Sequence, residues 1–439
     1  MPPAQPASDA PQIGECRAWW AVFVLFLAYT LSYIDRMIIS LMVEPLRADL
    51  NLSDTQISLL QGLAFAIFYT SMAIPIAALA DRRSRTAIVS IGIAFWSAMT
   101  AACGLAGSFW QLFLARMGVG VGEATLSPAT YSLIADLFPE DKRGRAMAIF
   151  SSGVSVGGGL AFIIGGIIIG FATASGGHET PLGPVRAWQL VFLILGPPGL
   201  LLALLALTIP EPRRQATTTT TTPMPLRPFL VREWRTLALL FVGNGISGMI
   251  TTALLSWAPT FLIRAYGETP AGAGRMLGIG LLILGPIGAI AGGAISDRWT
   301  RSGSATASLR VVAIGIALMA LFGAAAPLMP GALGASAMFA IALMFGAAAY
   351  PPGAVAVQKL APAPLRARIA ALYLFVVTLL SLALAPTAVA LLTDRIFGDP
   401  ALIGRSLTSF TAIAGPIGVI CIAVAMRAFR ASLARQEPS

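Results

Sequence analysis

AALADRRSRT, residues 77–86, and GGAISDRWTR, residues 292–301, each set an Asp-Arg pair directly after a long apolar run, with Asp81 and Asp297 standing 216 positions apart. One such pair at a helix end is an ordinary solvated cap. Two, at equivalent places in one chain, are an internal repeat, the architecture of secondary transporters. The 439 residues around them are 57% hydrophobic and 11% charged, with a mean hydropathy of +0.81. Soluble domains carry about 25% charged residues, so the composition excludes a soluble core.

A bilayer-crossing helix takes roughly 20 apolar residues. Twelve segments qualify, near 19–43, 55–80, 86–107, 109–137, 145–171, 187–209, 236–262, 271–296, 309–329, 332–358, 365–392 and 402–429. Lipid leaves no backbone group unpaired, and these runs are too continuously apolar for alternating barrel strands. The expected fold class is an all-α membrane protein of twelve transmembrane helices in two pseudosymmetric six-helix bundles. The longest polar segment, PEPRRQATTTTTTPMPLRPFLVREWR (210–235), reads as the linker between them. The expected organisation is a disordered tail over 1–18, bundles over 19–210 and 236–430, a linker over 211–235, and a second tail over 431–439.

The net charge of +10 follows topology. With the N-terminus in the cytoplasm, inner tails and loops carry 21 of the 29 Lys and Arg. Outer loops carry six, Arg47, Arg186, Arg264, Arg275, Arg395 and Arg405, while Arg36 and Arg116 lie within spans. This bias places both termini inside and accounts for the basic balance without a nucleic-acid partner. The cysteines, Cys16, Cys103 and Cys421, are too scattered for a disulfide frame or a metal site. The first span, without a small-residue cleavage site before a soluble domain, reads as a retained helix. The lone histidine, His178, lies in an outer loop, HETPLGPVRAW, with no nucleophile–base pair in sight. No enzyme, metal or cofactor is expected; a proton gradient is the expected driving force.

Four charges break the apolar spans: Asp35 and Arg36 in YTLSYIDRMIISL (29–41), and Arg116 and Glu123 in ARMGVGVGEA (115–124). Each costs roughly 2.5–3.5 kcal/mol at the bilayer centre, so they must pair or face water. At 1.5 Å per residue, Asp35 lies about 24 Å from the inner end of its helix, between Glu123 at about 20 Å and Arg116 at about 30 Å. The expectation is one neutral four-charge network joining the first and fourth helices. Asp35 and Glu123 exchange protons, and Arg36 and Arg116 serve as charge partners or headgroup contacts; a static salt-bridge cluster is the alternative. Tyr33, Ser127, Ser155, Asn244, Thr252 and Tyr373 are the candidate cavity lining. A charged wall facing an apolar one suits an amphiphile, whereas a small anion prefers polar partners from both halves.

The repeated loops resemble the major facilitator superfamily signature, Gly-x-x-x-Asp-(Arg/Lys). The second copy keeps Gly293, Asp297 and Arg298; the first has Ala77 and Ser84 in place of glycines but keeps Asp81 and Arg82, with Arg85 following. Arg116, Gly120 and Gly122 are similar to the family's fourth-helix motif. SYIDR (32–36), GVGEA (120–124), DRRSR (81–85), PPGL (197–200) and EPRR (211–214) together resemble the spinster-like branch, associated with export of sphingosine-1-phosphate and lysophospholipids. That resemblance implies proton-linked roles for Asp35 and Glu123 and matches Arg36 to the branch's first-helix arginine. It implies a monomer that moves an amphipathic lipid through the bilayer by alternating access; the rival cargo is a small organic anion. The stretch from Gly153 to Gly166 lacks the proline common in the drug antiporters of the superfamily. Only two of the 29 basic residues are lysine, a bias resembling that of a GC-rich bacterium, which implies an inner membrane.

The loops are the expected inner gate: Asp81 with Arg366 or Arg368, and Asp297 with Arg143 or Arg145, with Arg82, Arg85 and Arg298 beside them. Asp81→Asn is expected to slow transport without blocking membrane insertion, checked by comparing rates at equal inserted amounts. A wild-type rate would remove the gating role.

Overall fold

The computed structural model describes residues 13–174, 178–180, 183–212 and 225–435. Of the expected tails and linker, residues 1–12, 213–224 and 436–439 lie outside the described residues. The first half comprises α1 (Glu15–Met37), the short α2 (Val43–Leu50) and α3 (Asp54–Ser58), α4 (Ala64–Ala80), α5 (Arg85–Cys103), α6 (Phe109–Glu123), α7 (Leu126–Leu137), α8 (Glu140–Ala174) and α9 (Ala187–Ala206). A small hairpin, β1 (His178–Thr180) with β2 (Gly183–Val185), caps the connection between α8 and α9. The second half comprises α10 (Leu226–Tyr266), α11 (Pro270–Arg301), α12 (Ala307–Ala325), α13 (Ala332–Leu360), α14 (Arg366–Thr378), α15 (Ala385–Leu391) and α16 (Ile403–Ala434). The helix of α10 thus begins inside the stretch read as linker, and that of α16 runs on past residue 430.

Eleven spans are each long and apolar enough to cross a membrane among the described residues. The twelfth, expected as one helix over 109–137, is α6 and α7 separated by a turn at Ala124–Thr125. Pro128 explains the break. It has no N–H for the carbonyl four residues back, Ala124, and its ring crowds that carbonyl. Thr125 turns inward instead, its Oγ1 donating to the Gly122 carbonyl at 2.8 Å.

Two other passes are also irregular. The α3–α4 pass carries a π turn at Leu59–Leu63, and the α14–α15 pass carries π turns at Leu379–Leu384 and Leu392–Phe397. The turns at Leu59–Leu63 and Leu379–Leu384 pack on one another across the boundary between the halves. Gly62 is what permits it, because a Cβ there would run into the Leu382 carbonyl oxygen. The other long contact between halves is α8 on α11, also backbone to backbone: a Cβ on Gly278 would lie 2.6 Å from the Gly159 carbonyl oxygen.

With twelve passes both described termini fall at one end of the bundle, here the near end; the α2 connection marks the far end. A band of hydrogen bonds and ion pairs joins the halves toward the far end. Arg264 at the end of α10 reaches across to Asp54 with two bonds, at 2.6 and 2.7 Å, and to Glu44 at 2.6 Å. Asp54 is fully buried, and it opens α3 inside a capping box formed by Ser53 and Gln56, where the helix dipole favours a carboxylate. Asp394 of the second half accepts from both the N–H and the hydroxyl of Thr55, at 2.7 and 2.6 Å. Ser58 with Thr387, Gln61 with the Ser256 carbonyl and Thr260 with the Ser40 carbonyl continue the seam inward.

The near end is built differently. Arg85, expected in the gate, is buried within the first half. It pairs with Asp136 and, at 2.8 Å, with Glu211, and it donates to the Pro212 carbonyl. This pins the start of the linker stretch to α5 and α7. Burial pushes the Glu211 carboxyl up, but the Thr86 N–H and the bonds from Arg85 and Ser84 outweigh it and hold the group below its ordinary range. A carboxyl lowered in the folded state adds stability above its unfolded value and loses it as pH falls through the folded one. The clamp is therefore present at neutral pH and is lost on acidification.

Asp81, Arg82, Asp297, Arg298, Arg366 and Arg368 are all exposed, and none of them is in an ion pair among the described residues. Arg143 is spent on the Ala135 carbonyl at 2.8 Å, and Arg145 lies 5.4 Å over the Trp19 ring. The halves are thus latched at the far end, and the expected gate pairs are not formed at the near end among the described residues.

Arg264→Gln removes both charges' partner from a fully buried Asp54 and is expected to loosen the far seam. A single cysteine at Thr260, in a chain whose own three cysteines are replaced by alanine, should then react several-fold faster with a water-soluble maleimide. Unchanged labelling would mean that the seam closes without this pair.

Candidate functional site

The four span charges all lie in the first half and are almost fully buried, with relative exposures of 1% for Asp35, 8% for Arg36, 0% for Arg116 and 1% for Glu123. The structure brings them to one region but not into one network. Asp35 and Arg36 are neighbours on α1, so their side chains leave the helix about 100° apart. Arg36 turns toward α6 and donates through Nη2 to Glu123 Oε2 at 2.5 Å; the Ser32 hydroxyl donates to the same oxygen at 2.6 Å. Asp35 turns toward α5, where the Thr100 hydroxyl donates to its Oδ2 at 3.0 Å. Arg116 reaches only the backbone carbonyl of Asp35, at 3.3 Å, and has no carboxylate within ion-pair distance. The expected neutral network of four is therefore one ion pair, one hydroxyl-bonded carboxyl and one guanidinium on a carbonyl. Adjacent positions on a helix cannot aim at the same partner.

Backbone geometry seats this cluster. α1 packs along α8 and α9 and meets α6 through its side chains. α4 approaches α6 so closely that a Cβ on Gly120 would lie 2.6 Å from the Phe65 carbonyl oxygen. That approach lays rings against the guanidinium: the Arg36 carbon lies 4.4 Å from the Phe65 centroid, 4.8 Å from Tyr33 and 5.0 Å from Tyr69. Each such contact is worth about 0.5–2 kcal/mol, more as water is excluded. Five side-chain atoms of the cluster, Asp35 Oδ1, Arg36 Nε, Arg116 Nε and Nη2, and Glu123 Oε1, are buried without a hydrogen-bond partner among the described residues. Native interiors leave few polar atoms unpaired, so this density sets the cluster apart from ordinary packing.

Of the expected lining, Tyr33 is half-buried and spent on Arg36; Ser127, Ser155 and Thr252 are half-buried. Asn244 and Tyr373 are buried, Asn244 donating to its own helix at Leu240 and Tyr373 set edge-on to Phe241. Tyr29, Tyr33, Tyr69 and Tyr131 of the first half and Tyr350 and Tyr373 of the second lie close enough to interact electrostatically. Six of the chain's seven tyrosines thus gather where the halves face each other. Sequence reasoning did not find Thr100, Ser32, Phe65 or Tyr69 as partners of the charges. The i−4 spacing of Ser32 from Arg36 was available as a signal; nothing in the α4 sequence marked its rings.

Buried charges in one bundle, beside a boundary latched at the far end, suit a secondary transporter. The model of the Major Facilitator Superfamily matches residues 25–386, and the chain belongs to that superfamily: it is an integral membrane transporter, not an enzyme. Within the superfamily it is spinster-like. "Protein spinster homolog 1" of Rattus norvegicus is 32% identical over 274 residues, covering 58% of this chain and 49%, about half, of that protein. An "MFS-type efflux pump" of Mycolicibacterium smegmatis is 27% identical over 433 residues, 96% of this chain and 95% of that one. A crystal structure described as a bacterial homolog to human lysosomal transporter, Spinster, inward-facing and unoccupied, aligns with TM-score 0.82 at 28% identity, over 97% of this chain and all of that one.

Arg36→Leu leaves Glu123 buried with a single hydroxyl, a loss of about 3–5 kcal/mol for a broken buried pair. Glu123→Gln leaves Arg36 among three rings and keeps an amide oxygen for it. Thermal unfolding in detergent is therefore expected to drop clearly more for Arg36→Leu, and equal losses would mean that the rings do not hold Arg36.

Proposed function

We propose that the protein is a proton-coupled transporter that moves an amphipathic lipid, of lysophospholipid or sphingoid-phosphate type, across the membrane by alternating access. The pairing pattern of the four buried charges carries this reading. Glu123 holds Arg36 while Arg116 stands without a carboxylate, one residue's backbone away from Asp35. Proton gain at Glu123 releases Arg36, and proton loss draws it back, so the cluster has two arrangements that differ by one proton. Two titrating acids this close act as a coupled pair, with no step belonging to one residue.

Cargo is inferred from the contrast between the halves. The first offers Arg36 and Arg116 to a headgroup; the second offers Asn244, Thr252 and Tyr373 and otherwise apolar wall to a chain. The resemblance to the spinster-like branch, associated with lysophospholipid and sphingosine-1-phosphate export, favours a lipid. The second reading, a small organic anion, draws on a "Probable L-galactonate transporter" of Escherichia coli that is 27% identical over 309 residues, 67% of this chain and 65% of that one.

In this reading the near end is cytoplasmic, as the positive-inside bias requires, and the membrane is a bacterial inner membrane. The latched far side then faces away from the cytoplasm. Asp81 and Asp297 are free to meet Arg366, Arg368 and Arg145 when the halves rock, with Arg82 and Arg298 beside them. The protein acts as a monomer, with the proton gradient as its only driving cofactor and no nucleic-acid partner.

The test is uptake of a fluorescent lysolipid into proteoliposomes with and without an imposed pH gradient. The expected result is gradient-dependent flux that Glu123→Gln loses and short carboxylates do not compete for. Gradient-independent flux, equal in the mutant, would overturn the proton role. Absence of lysolipid flux alongside carboxylate flux would overturn the lipid cargo.

A further inference from the structure

Phe65 makes three contacts that no other residue in the first half combines. Its ring is the nearest of the three over Arg36, at 4.4 Å, and the same ring lies 5.9 Å from the Arg116 guanidinium carbon. Its backbone carbonyl is the atom against which α6 is seated at Gly120. Three residues before it, on the same continuous pass, Gly62 is pressed against the Leu382 carbonyl of the second half. One stretch of helix, 62–65, therefore touches the charge cluster on one side and the far seam on the other. It does so through a π turn, a geometry that is rare and recurs at functional sites.

We propose that Phe65 is the positioning residue that ties the charge state of Glu123 to the opening of the far seam; the inference rests on the proton-coupled reading above. Arg36 has two holders, the Glu123 carboxylate on α6 and the rings of Phe65 and Tyr69 on α4. While Glu123 is charged, it shares the guanidinium with the rings and draws α4 and α6 together. When Glu123 is neutral, the guanidinium is left to the rings, and the helix that carries them is no longer tied to α6 through the ion pair. That helix is the one that meets Leu382. From α1, Asp35, Arg36 and Tyr33 face Glu123; from α4, Tyr69 faces Arg36; from α5, Thr100 and Cys103 face Asp35; Arg116 stands on Glu123's own helix. Of these, Arg36 and Arg116 bridge α6 to α4, and both do so over the ring of Phe65, which is the link.

The experiment needs no substrate, so its result stands whether or not a lysolipid is the cargo. Spin labels at Ala48 and Ala401, exposed far-end positions in opposite halves, report the distance across the seam in a chain whose own cysteines are replaced by alanine. Glu123→Gln, which mimics the protonated acid, is expected to shift the distance distribution toward longer values. Adding Phe65→Leu should abolish that shift, and Phe65→Tyr, which restores the π face, should retain it. Phe65→Met, which fills the space without a π face, takes the place of Phe65→Leu if that variant does not fold. A shift that survives in Phe65→Leu or Phe65→Met, or no shift from Glu123→Gln with Phe65 intact, would overturn the proposal.

Discussion

The guanidinium of Arg36, stripped of water inside a lipid-embedded bundle, sets the terms for the first half of the molecule. A single carboxylate seldom compensates the desolvation of such an ion pair, and here it is not asked to do so alone. Ser32 supplies a second donor to the carboxylate, and three aromatic faces surround the cation. Those rings reach Arg36 because α4 and α6 touch backbone to backbone, which in turn requires the absence of a side chain at Gly120. The run GVGVG (118–122) is therefore a packing surface first, and the chemistry of Glu123 depends on it. The turn after Glu123 comes from Pro128, so the acid stands at the last residue of a helix rather than midway along one.

The second constraint is that two halves must hold together in lipid and still part. Where α8 meets α11, and where Gly62 meets Leu382, the contact is backbone on backbone with small residues, which packs tightly without binding specifically. The specific bonds are placed at the far end, among carboxylates, hydroxyls and Arg264. Polar groups there have a ready alternative partner in water once the seam opens, so their separation costs far less than it would at the membrane centre. A latch made of charges at the water's edge and a seam made of glycine in the lipid divide holding from sliding.

Much of this was legible from the chain itself. The repeat at Asp81 and Asp297, the Thr-rich boundary and the twelve apolar runs define the superfamily fold because lipid allows so few ways to satisfy a backbone. The four span charges were legible for the same reason: each is costly, so each stands out. What was not legible is direction. Arg264 read as one more outer-loop charge and Asp54 drew no reading, because a pairing across more than two hundred residues leaves no local pattern. Arg85 read as a gate residue by its place in the repeated loop, yet Asp136 and Glu211 surround it from segments the loop does not announce. The four-charge network failed on a simpler point, since depth along a helix was considered and angle around it was not.

The halves share a frame and divide the work. The repeated Asp-Arg loops preserve the twofold relation, and the facing π turns at 59–63 and 379–384 mark where the halves are pinned. The buried charges obey no such symmetry: the pass of the second half that answers to α1 carries Thr251 and Thr252, 216 positions on from Asp35 and Arg36. One half can therefore change its charge while the other presents a constant wall. A change confined to one side of a pinned boundary has to be passed on through the helix that crosses nearest to the pin. In this molecule that helix is α4, and it is also the one that lines the guanidinium. The asymmetry of charge and the symmetry of the frame thus meet within the four residues from Gly62 to Phe65.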